Sequence, residues 1–211
     1  MADHPIFTES IRRIRALLGE TGLDPLQQQV LERLVHSSGD PGLLQLLRFS
    51  DGACDRGLAA LNNGAVILTD TAMAAAAVTP MAKRTLGAPV RCLLDWAPSL
   101  SPQRSTRSAA AMQRAWPELS AEAQLAGQAM PVVLVGSAPT ALEQLLDQLD
   151  AGAAHPSLVI GMPVGFVGVP ESKRRLAATG LDQIRLEGTR GGAGLVAAAV
   201  NALLRAAQAA S

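Results

Sequence analysis

The chain has 211 residues, 48% of them apolar, which is enough for one well-buried core in a single large domain. Lysine plus arginine and aspartate plus glutamate number 18 each, while the aromatic residues are three Phe, two Trp and no Tyr. This balanced charge and the shortage of stacking rings argue against nucleic acid as a partner and favour a small ligand.

Two helices are predicted at the start of the chain, where apolar residues recur at helical spacing. The first presents Ile11 and Ile14 on one face, and the second begins at Pro25. We therefore expect a helical N-terminal part, residues 1–62, followed by a parallel α/β part, residues 63–211, within one domain.

Five short apolar segments, each followed by a turn or capping residue, predict β-strands separated by helices. Continuous apolarity in such short strands indicates burial on both faces, and helical connections indicate parallel pairing through right-handed crossovers. The predicted fold is therefore a doubly wound α/β sandwich with a five-stranded, mainly parallel sheet and extra N-terminal helices. The predicted strands are residues 65–68, 90–94, 132–135, 158–160 and 184–186.

Ligands of such sheets bind beyond the carboxyl ends of the strands, where the strand order reverses. The turns that follow the strands also present helix N-terminal amides, which favour carboxylates and phosphates. We therefore expect one cleft, suited to a polyanionic ligand, at this edge of the sheet. Its predicted rim residues are Asp70, Asp95, Gly136, Gly161 and Gly188.

The sequence also bears on metal sites, membranes and cellular location. Cys54 and Cys92 are too few for a zinc site or a disulfide framework. Residues 1–5 lack the basic start and apolar run of a signal peptide, and the alanine-rich stretches 72–78 and 192–210 are too mildly apolar to span a bilayer. We expect a cytoplasmic protein with no metal ion and no membrane contact.

His36 is the best candidate for a proton donor among the three histidines. It lies where an apolar helical pattern meets a turn, whereas His4 and His155 directly precede prolines. An imidazole titrates at about pH 6.5, so its surroundings can hold it charged or neutral at physiological pH. The competing interpretation is structural, since a histidine at a helix end also serves as a C-terminal cap or a satisfied core residue.

Two further segments suit an anionic ligand, although each also has a structural interpretation. Segment 104–108 places two arginines and three hydroxyls at a helix start, which suits a carboxylate or an ordinary solvated face. The glycine-rich segment 188–194 lacks the Gly-Lys-Ser/Thr ending of a nucleoside-triphosphate loop and does not match the dinucleotide fingerprint. It predicts an anion-holding turn and no more.

The sequence contains no serine nucleophile elbow, no His-Glu-x-x-His helix and no Cys-x-x-Cys pair. Hydrolysis and metal chemistry therefore lose support. A single acid, several hydroxyls, anion-binding turns and the apolar glycine-rich loop 161–168 favour proton-assisted rearrangement of an anionic organic substrate.

Taken in order, several segments of the chain closely resemble the precorrin-8X methylmutase family of cobalamin biosynthesis. Together they cover nearly the whole chain, and their joint order and spacing are specific to the family. Ser38, Ser137, Pro170 and the alanine run 74–77 depart from what is common in the family. The matching segments are 32–40, 106–110, 136–142, 163–167, 171–173, 191–192 and 197–203.

The resemblance implies a flavodoxin-like three-layer fold, a homodimer with active sites near the subunit interface, and an isomerase that needs no cofactor. The implied reaction is an intramolecular methyl transfer from C-11 to C-12 of precorrin-8X or cobalt-precorrin-8, giving hydrogenobyrinic acid or cobyrinic acid. The family histidine corresponds to His36, which is implied to protonate the corrinoid tetrapyrrole. The expected substrate-binding residues are Ser10, Thr106, Arg107, Thr140, Lys173, Gly191 and Gly192.

Two other functions compete with this one. A non-catalytic corrinoid-binding protein would keep the fold and the cleft, but its expected signature is loss of the proton donor. A flavodoxin-like module that binds nucleotide or phosphate would use segment 188–194. The sequence leaves open whether the substrate carries cobalt, which substrate atom is protonated, and which residues cross the dimer interface.

Overall fold

The computed structural model describes residues 4–210, so residues 1–3 and 211 of the predicted domain lie outside the described residues. Both predicted N-terminal helices are confirmed, as α1 (Pro5–Leu18) and α2 (Pro25–Ser38). Asp24 begins α2 with a capping box, in which its carboxylate accepts the amides of Leu26 and Gln27. Gly39 ends α2 in the left-handed conformation that a non-glycine residue would adopt only with strain.

The structure contains one mixed sheet of six strands, whose order across the sheet is β1-β6-β5-β4-β2-β3. The five predicted strands are present and run parallel, with small shifts at their ends. The strands are β1 (Leu47–Phe49), β2 (Ile67–Thr69), β3 (Val90–Cys92), β4 (Val132–Val135), β5 (Leu158–Gly161) and β6 (Gln183–Leu186).

The prediction of five strands was wrong by one, because β1 pairs antiparallel with β6 at the edge of the sheet. Leu47 is buried, whereas Arg48 and Phe49 are only partly buried, so β1 has no continuous apolar run to signal it. Its partner is more than 130 residues away in sequence, since Leu47 aligns with Leu186. The N-terminal part, residues 1–62, is therefore not purely helical.

Helices cover both faces of the sheet, as a doubly wound fold requires. The remaining helices are α3 (Ala53–Asn62), α4 (Ala72–Arg84), α5 (Arg107–Leu125), α6 (Pro139–Asp150), α7 (Val169–Ala177) and α8 (Ala193–Ala210). Alternate residues of β4 serve the two layers: Val132 and Leu134 pack with the α1–α4 and α8 side, and Val133 and Val135 pack with the α5–α7 side.

Alanine is prominent among the buried residues of α8. Ala198, Ala199 and Ala202 are buried on α8, where α2 and α4 pack against it. Small side chains let helix backbones approach closely, and Asn201 adds a hydrogen bond of 3.2 Å from Nδ2 to the carbonyl of Ala77. Within residues 4–210, no helix combines the length and the apolarity needed to cross a membrane.

Candidate active site

His36 lies in the last turn of α2, with its side chain exposed. Its Nδ1 is 2.8 Å from Oγ of Ser10 on α1, so the predicted serine and histidine are brought together. The ring of Phe7 meets the imidazole edge-on, with centroids 5.1 Å apart. Because Ser10 engages Nδ1, proton exchange with a ligand falls to Nε2.

The Ser10 hydroxyl can form a hydrogen bond with Nδ1 of His36 in both protonation states of the imidazole. A hydroxyl donates to the bare Nδ1 of a neutral imidazole and accepts from the Nδ1–H of an imidazolium. Partial burial, reinforced by the positive charge of Arg33, lowers the pKa of His36 below its ordinary value. The neutral imidazole therefore predominates at pH 7 in the free protein.

Thr106 and Thr140 form a second group of predicted site residues. Their hydroxyls are 2.7 Å apart, and the Thr106 hydroxyl also accepts the amide of Ala109 to cap α5. Both threonines are exposed beside a cavity of about 410 Å³. They belong to α5 and α6, which cover the opposite face of the sheet from α2, so the structure does not join them to His36 in one cluster.

Arg107 is exposed in the first turn of α5, as the predicted role requires. Its Nε donates to the carbonyl of Pro98 at 2.8 Å. This bond fastens the chain after β3 to the start of α5. The guanidinium has further donors, which suit it to a carboxylate at the same edge of the sheet.

Lys173 is buried and not exposed to solvent. Its side chain is 2% exposed, and Nζ donates to the carbonyls of Gly188 and Arg190 at 2.9 and 2.6 Å. Burial lowers the pKa of Lys173 to about 8. The lysine thus holds the turn after β6 through two backbone carbonyls.

Gly191 is needed for close backbone packing, and Gly192 for a φ of +135° that residues with a side chain rarely adopt. A Cβ on Gly191 would lie 1.9 Å from the carbonyl oxygen of Met162, and the Gly192 amide already donates to that oxygen at 2.9 Å. A Cβ on Gly136 would lie 2.8 Å from backbone atoms of Ala193. The turns after β4, β5 and β6 therefore interlock, and the amide of Gly192 serves this packing.

Asp70 has a role that the sequence did not reveal. Its carboxylate is 2% exposed, and one oxygen accepts the amides of Gly136, Ser137 and Ala138 at 3.0, 2.6 and 2.8 Å. Burial raises the pKa of Asp70, and these three hydrogen bonds oppose the rise. The prediction of unpaired amides after each strand is wrong here, because the chain's own carboxylate occupies the anion site that opens α6.

An ion pair connects this edge of the sheet with the end of α2. Arg190 lies 2.8 Å from Asp40, which follows His36 by four residues. The turn that Lys173 and Gly191 shape is thereby fastened to the segment that ends the His36 helix. Within residues 4–210, no cluster of three His, Cys, Asp or Glu side chains is arranged to hold a metal ion.

The family profile described as precorrin-8X methylmutase matches residues 5–206. The chain belongs to the precorrin-8X methylmutase family. The resemblance found in the sequence segments is confirmed.

Individual members of the methylmutase family match nearly the full length of the chain. A precorrin-8X methylmutase from Pseudomonas aeruginosa is 42% identical, over 94% of this chain and 93% of its own. A cobalt-precorrin-8 methylmutase from Synechocystis is 34% identical, over 96% and 95%. A crystal structure of the precorrin-8X methylmutase from Thermus thermophilus has a TM-score of 0.81 and 38% identity, covering 97% of this chain and 96% of that one.

Three departures from the methylmutase pattern leave the local structure intact. The Ser38 hydroxyl donates to the carbonyl of Leu34 at 2.8 Å and accepts the amide of Asp40 at 3.1 Å, which helps to end α2. Ser137 contributes its backbone amide to Asp70, so its side chain is not needed there. Pro170 lies in the first turn of α7, where proline is well tolerated.

Three residues that the sequence did not single out, Phe7, Arg33 and Arg205, are grouped through the ring of Phe7, which contacts His36. The carbon centres of the two guanidiniums lie 5.0 and 4.9 Å from the centre of the Phe7 ring. A helical signal was available for two of them. Phe7 precedes Ser10 by three residues and Arg33 precedes His36 by three, which puts each pair on one helix face.

Proposed function

We propose that this chain catalyses the methyl shift from C-11 to C-12 of precorrin-8X or cobalt-precorrin-8, giving hydrogenobyrinic acid or cobyrinic acid. The observation that carries the proposal is the His36–Ser10 pair, 2.8 Å apart, in a chain of the methylmutase family. Relatives named for the cobalt-free and for the cobalt-containing substrate both match nearly the full length of the chain.

In the proposed mechanism, His36 acts as a general acid through Nε2. Protonation gives the macrocycle cationic character, which weakens its bond to the migrating methyl group. The proton returns to His36 after the shift, so the reaction is an isomerisation with no net proton uptake. Ser10 accepts the Nδ1–H while the imidazole is charged. A positioned general acid contributes about 10²–10⁴-fold to a rate.

We propose that the exposed donors at the carboxyl edge of the sheet bind peripheral carboxylates of the substrate. Thr106, Thr140 and Arg107 are exposed there and contribute directly. Lys173 and Gly192 contribute by fixing the shape of the turn after β6, since their donors are engaged within it. Gly191 lies in the same turn. The proposed chemistry moves a proton and a methyl group within one substrate and uses no cofactor.

The proposal is tested by incubating the purified protein with precorrin-8X and with cobalt-precorrin-8. Substrate and product have the same mass, so the absorption spectrum and the carbon NMR signal of the migrating methyl are the informative measurements. We expect conversion by the natural protein. His36→Ala is expected to abolish the shift while retaining tight binding of the product.

His155→Ala is the matched control, because His155 is also an exposed histidine but lies just before β5. It is expected to turn over at the natural rate. Normal turnover by His36→Ala would remove the mechanism. A natural protein that binds corrinoid without converting it would instead be the non-catalytic binding protein.

A nucleotide- or phosphate-binding module is not favoured. The turn 188–194, which it would use, is held by Lys173 through two carbonyls and by the bond from Gly192 to Met162. Titration with flavin mononucleotide and with ATP provides the direct check, and no binding is expected.

We propose that residues 1–211 form a single domain of the flavodoxin-like type. Among the five parallel strands the order is β3-β2-β4-β5-β6, which corresponds to the order 2-1-3-4-5 of that fold. The domain is proposed to be cytoplasmic, in agreement with the free thiols of Cys54 and Cys92.

We also propose a homodimer. The loop between β5 and α7 exposes Phe166 and Val167, with 86% and 90% of their surfaces accessible. Adjacent exposed apolar residues of this kind mark contact surfaces. Light scattering coupled to size exclusion is expected to give about 44 kDa, twice the 21.8 kDa of the chain, and Phe166→Ser is expected to shift the mass toward the monomer.

A further inference from the structure

A cavity of about 520 Å³ lies beside His36, between α1, α2 and α8. Four arginines line it: Arg12 and Arg15 from α1, Arg33 from α2 and Arg205 from α8. Among the described residues that line it, Glu32 is the one acidic residue. A cavity with this lining suits an anionic ligand.

Two of the four arginines are fixed by carboxylates, Arg15 by one on α2 and Arg12 by one on its own helix α1. Arg15 forms a bidentate pair with Glu32, at 2.7 and 3.0 Å, and Glu32 is 3% exposed. Arg12 forms a bidentate pair with Glu9 at 2.7 and 2.8 Å. These pairs shape one side of the cavity.

Phe7 organises the other two arginines. The guanidinium carbons of Arg33 and Arg205 lie 5.0 and 4.9 Å from the centre of this ring, within the range of cation–π attraction. The shared ring therefore keeps the two cations within about 10 Å of each other, a separation at which like charges still repel at 0.1 M salt. A guanidinium is also a planar fork that binds a carboxylate through two hydrogen bonds.

The same ring joins the cavity to the proton donor. Phe7 contacts the imidazole of His36 edge-on, and Arg33 is three residues before His36 on α2. A ligand group held by Arg33 and Arg205 would therefore place the body of that ligand beside His36. The charge of Arg33 also contributes to lowering the pKa of His36, and a bound anion would oppose that effect.

We infer that this cavity binds a peripheral carboxylate of the macrocyclic substrate, with Arg33 and Arg205 as donors and Phe7 as the wall that orients both. The inference rests on the proposed function and adds a binding site to it. The site selects for a free carboxylate over an ester or an amide at that position. It also orients the ring for proton transfer from His36.

The experiment compares two ligands on matched variants. Hydrogenobyrinic acid and its fully methyl-esterified form are titrated against the natural protein, Arg33→Gln, Arg205→Gln and the control Arg114→Gln. Arg114 is exposed on α5, on the opposite face of the sheet, so the control removes the same charge elsewhere. Arg33→Gln and Arg205→Gln are each expected to weaken binding of the free acid by about tenfold or more, the scale of a hydrogen bond to a charged group.

The ester decides whether the carboxylate is what these arginines recognise. We expect the two variants and the natural protein to bind the ester equally, and Arg114→Gln to match the natural protein with both ligands. Equal loss of acid and ester binding would overturn the inference, as would binding of the acid as tight as that of the control. Circular dichroism melting identifies a misfolded variant. If Arg33→Gln is misfolded, the titrations with both ligands are made instead on Arg205→Gln and on Arg33→Lys, which retains the charge.

Two further measurements separate the remaining outcomes. Inorganic phosphate that binds the natural protein through Arg33 without displacing corrinoid would assign the cavity to a small free anion and overturn the inference. Turnover by the natural protein is measured in parallel. If turnover is normal while Arg33→Gln and Arg205→Gln bind the acid normally, this inference alone fails. If turnover is absent, the proposed function fails.

Discussion

The carboxyl edge of the sheet and the flank formed by α1, α2 and α8 contain polar groups of very different kinds. At the edge, polar groups are largely satisfied by the chain itself: Asp70 receives three amides, Lys173 contacts two carbonyls and Gly192 donates to Met162. At the flank, His36 is exposed beside a cavity lined by arginines. The buried polar groups of the edge make it rigid, whereas its exposed Thr106, Thr140 and Arg107 and the arginines of the flank are the groups proposed to bind charge.

This difference qualifies the rule that doubly wound folds bind ligands beyond the carboxyl ends of their strands. A helix N-terminus attracts any carboxylate, including one supplied by the same chain. Asp70 fills that role at α6, so one predicted anion site is already occupied. Turn composition indicates where an anion can bind. The tertiary structure determines whether that anion is a ligand or a carboxylate of the chain itself.

The largest expected effect is on the rigid edge. Asp70→Ala leaves three amides of the turn before α6 without their acceptor, and we expect it to lower the free energy of unfolding by about 3 kcal/mol or more. Asp24→Ala is the matched control, since Asp24 caps α2 at an exposed site and accepts two amides. Its expected loss is about 1 kcal/mol. Urea denaturation measures both, and equal losses would contradict the buried role of Asp70.

The interlocked turns give the next largest effect. Gly191→Ala places a methyl group 1.9 Å from the Met162 carbonyl oxygen, so the backbone must move. We expect a loss of about 1–3 kcal/mol in stability, the usual cost of overpacking. Gly194→Ala is the control, because nothing lies within 4 Å of its added Cβ and the position is helical. That change is expected to stabilise the protein slightly, and similar thermal melts for both variants would disprove the packing argument.

The pH dependence of turnover tests the flank. A general acid is active when protonated, so kcat/KM is expected to be constant at low pH and to fall about tenfold per unit above the pKa of His36. The pKa of His36 is lowered, so the fall should begin below pH 6.5 in the free enzyme. A rate that instead falls as the pH is lowered through this range would make His36 a base.

The smallest expected effect belongs to Ser10. Ser10→Ala removes a partner of Nδ1 but leaves Nε2 and the ring of Phe7 in place, so we expect kcat to fall by about two- to tenfold, the scale of one ordinary hydrogen bond. The fall in kcat/KM should also shift to lower pH, because the hydrogen bond that the hydroxyl accepts from the imidazolium is stronger than the one that it donates to the neutral imidazole. Thr8→Ala, at an exposed position of the same helix, is the control. If the pH profile of Ser10→Ala is not shifted, Ser10 has no role in proton transfer by His36.

Local signals were sufficient for most of the fold. Apolar spacing and proline at the helix starts located α1 and α2, and short apolar runs located the five parallel strands. Strand β1 was missed because it is short, half-buried and paired with a strand more than 130 residues away. Pattern methods detect continuous apolar runs, which β1 lacks.

The site was predictable in its residue types but not in their orientation. His36, Ser10 and Arg107 were all predicted as site residues, and the structure brings His36 and Ser10 together and exposes Arg107. The side chain of Lys173 is buried against carbonyls that are 15 and 17 residues away in sequence. The carboxylate of Asp70 is buried against amides that are 66 to 68 residues away. Sequence spacing along one helix or strand carries no information about such partners.

The burial of Lys173 makes it a chemical reporter of loop motion. An amine that is 2% exposed and held by two carbonyls is shielded from acetic anhydride while the turn after β6 is closed. Acetylation then proceeds only through transient opening of that turn, so its rate measures the opening equilibrium, as amide hydrogen exchange does for backbone. The acetylation rate of this one lysine therefore reports how often the turn after β6 opens. Arg190 of the same turn forms the ion pair with Asp40, which follows the helix that carries His36.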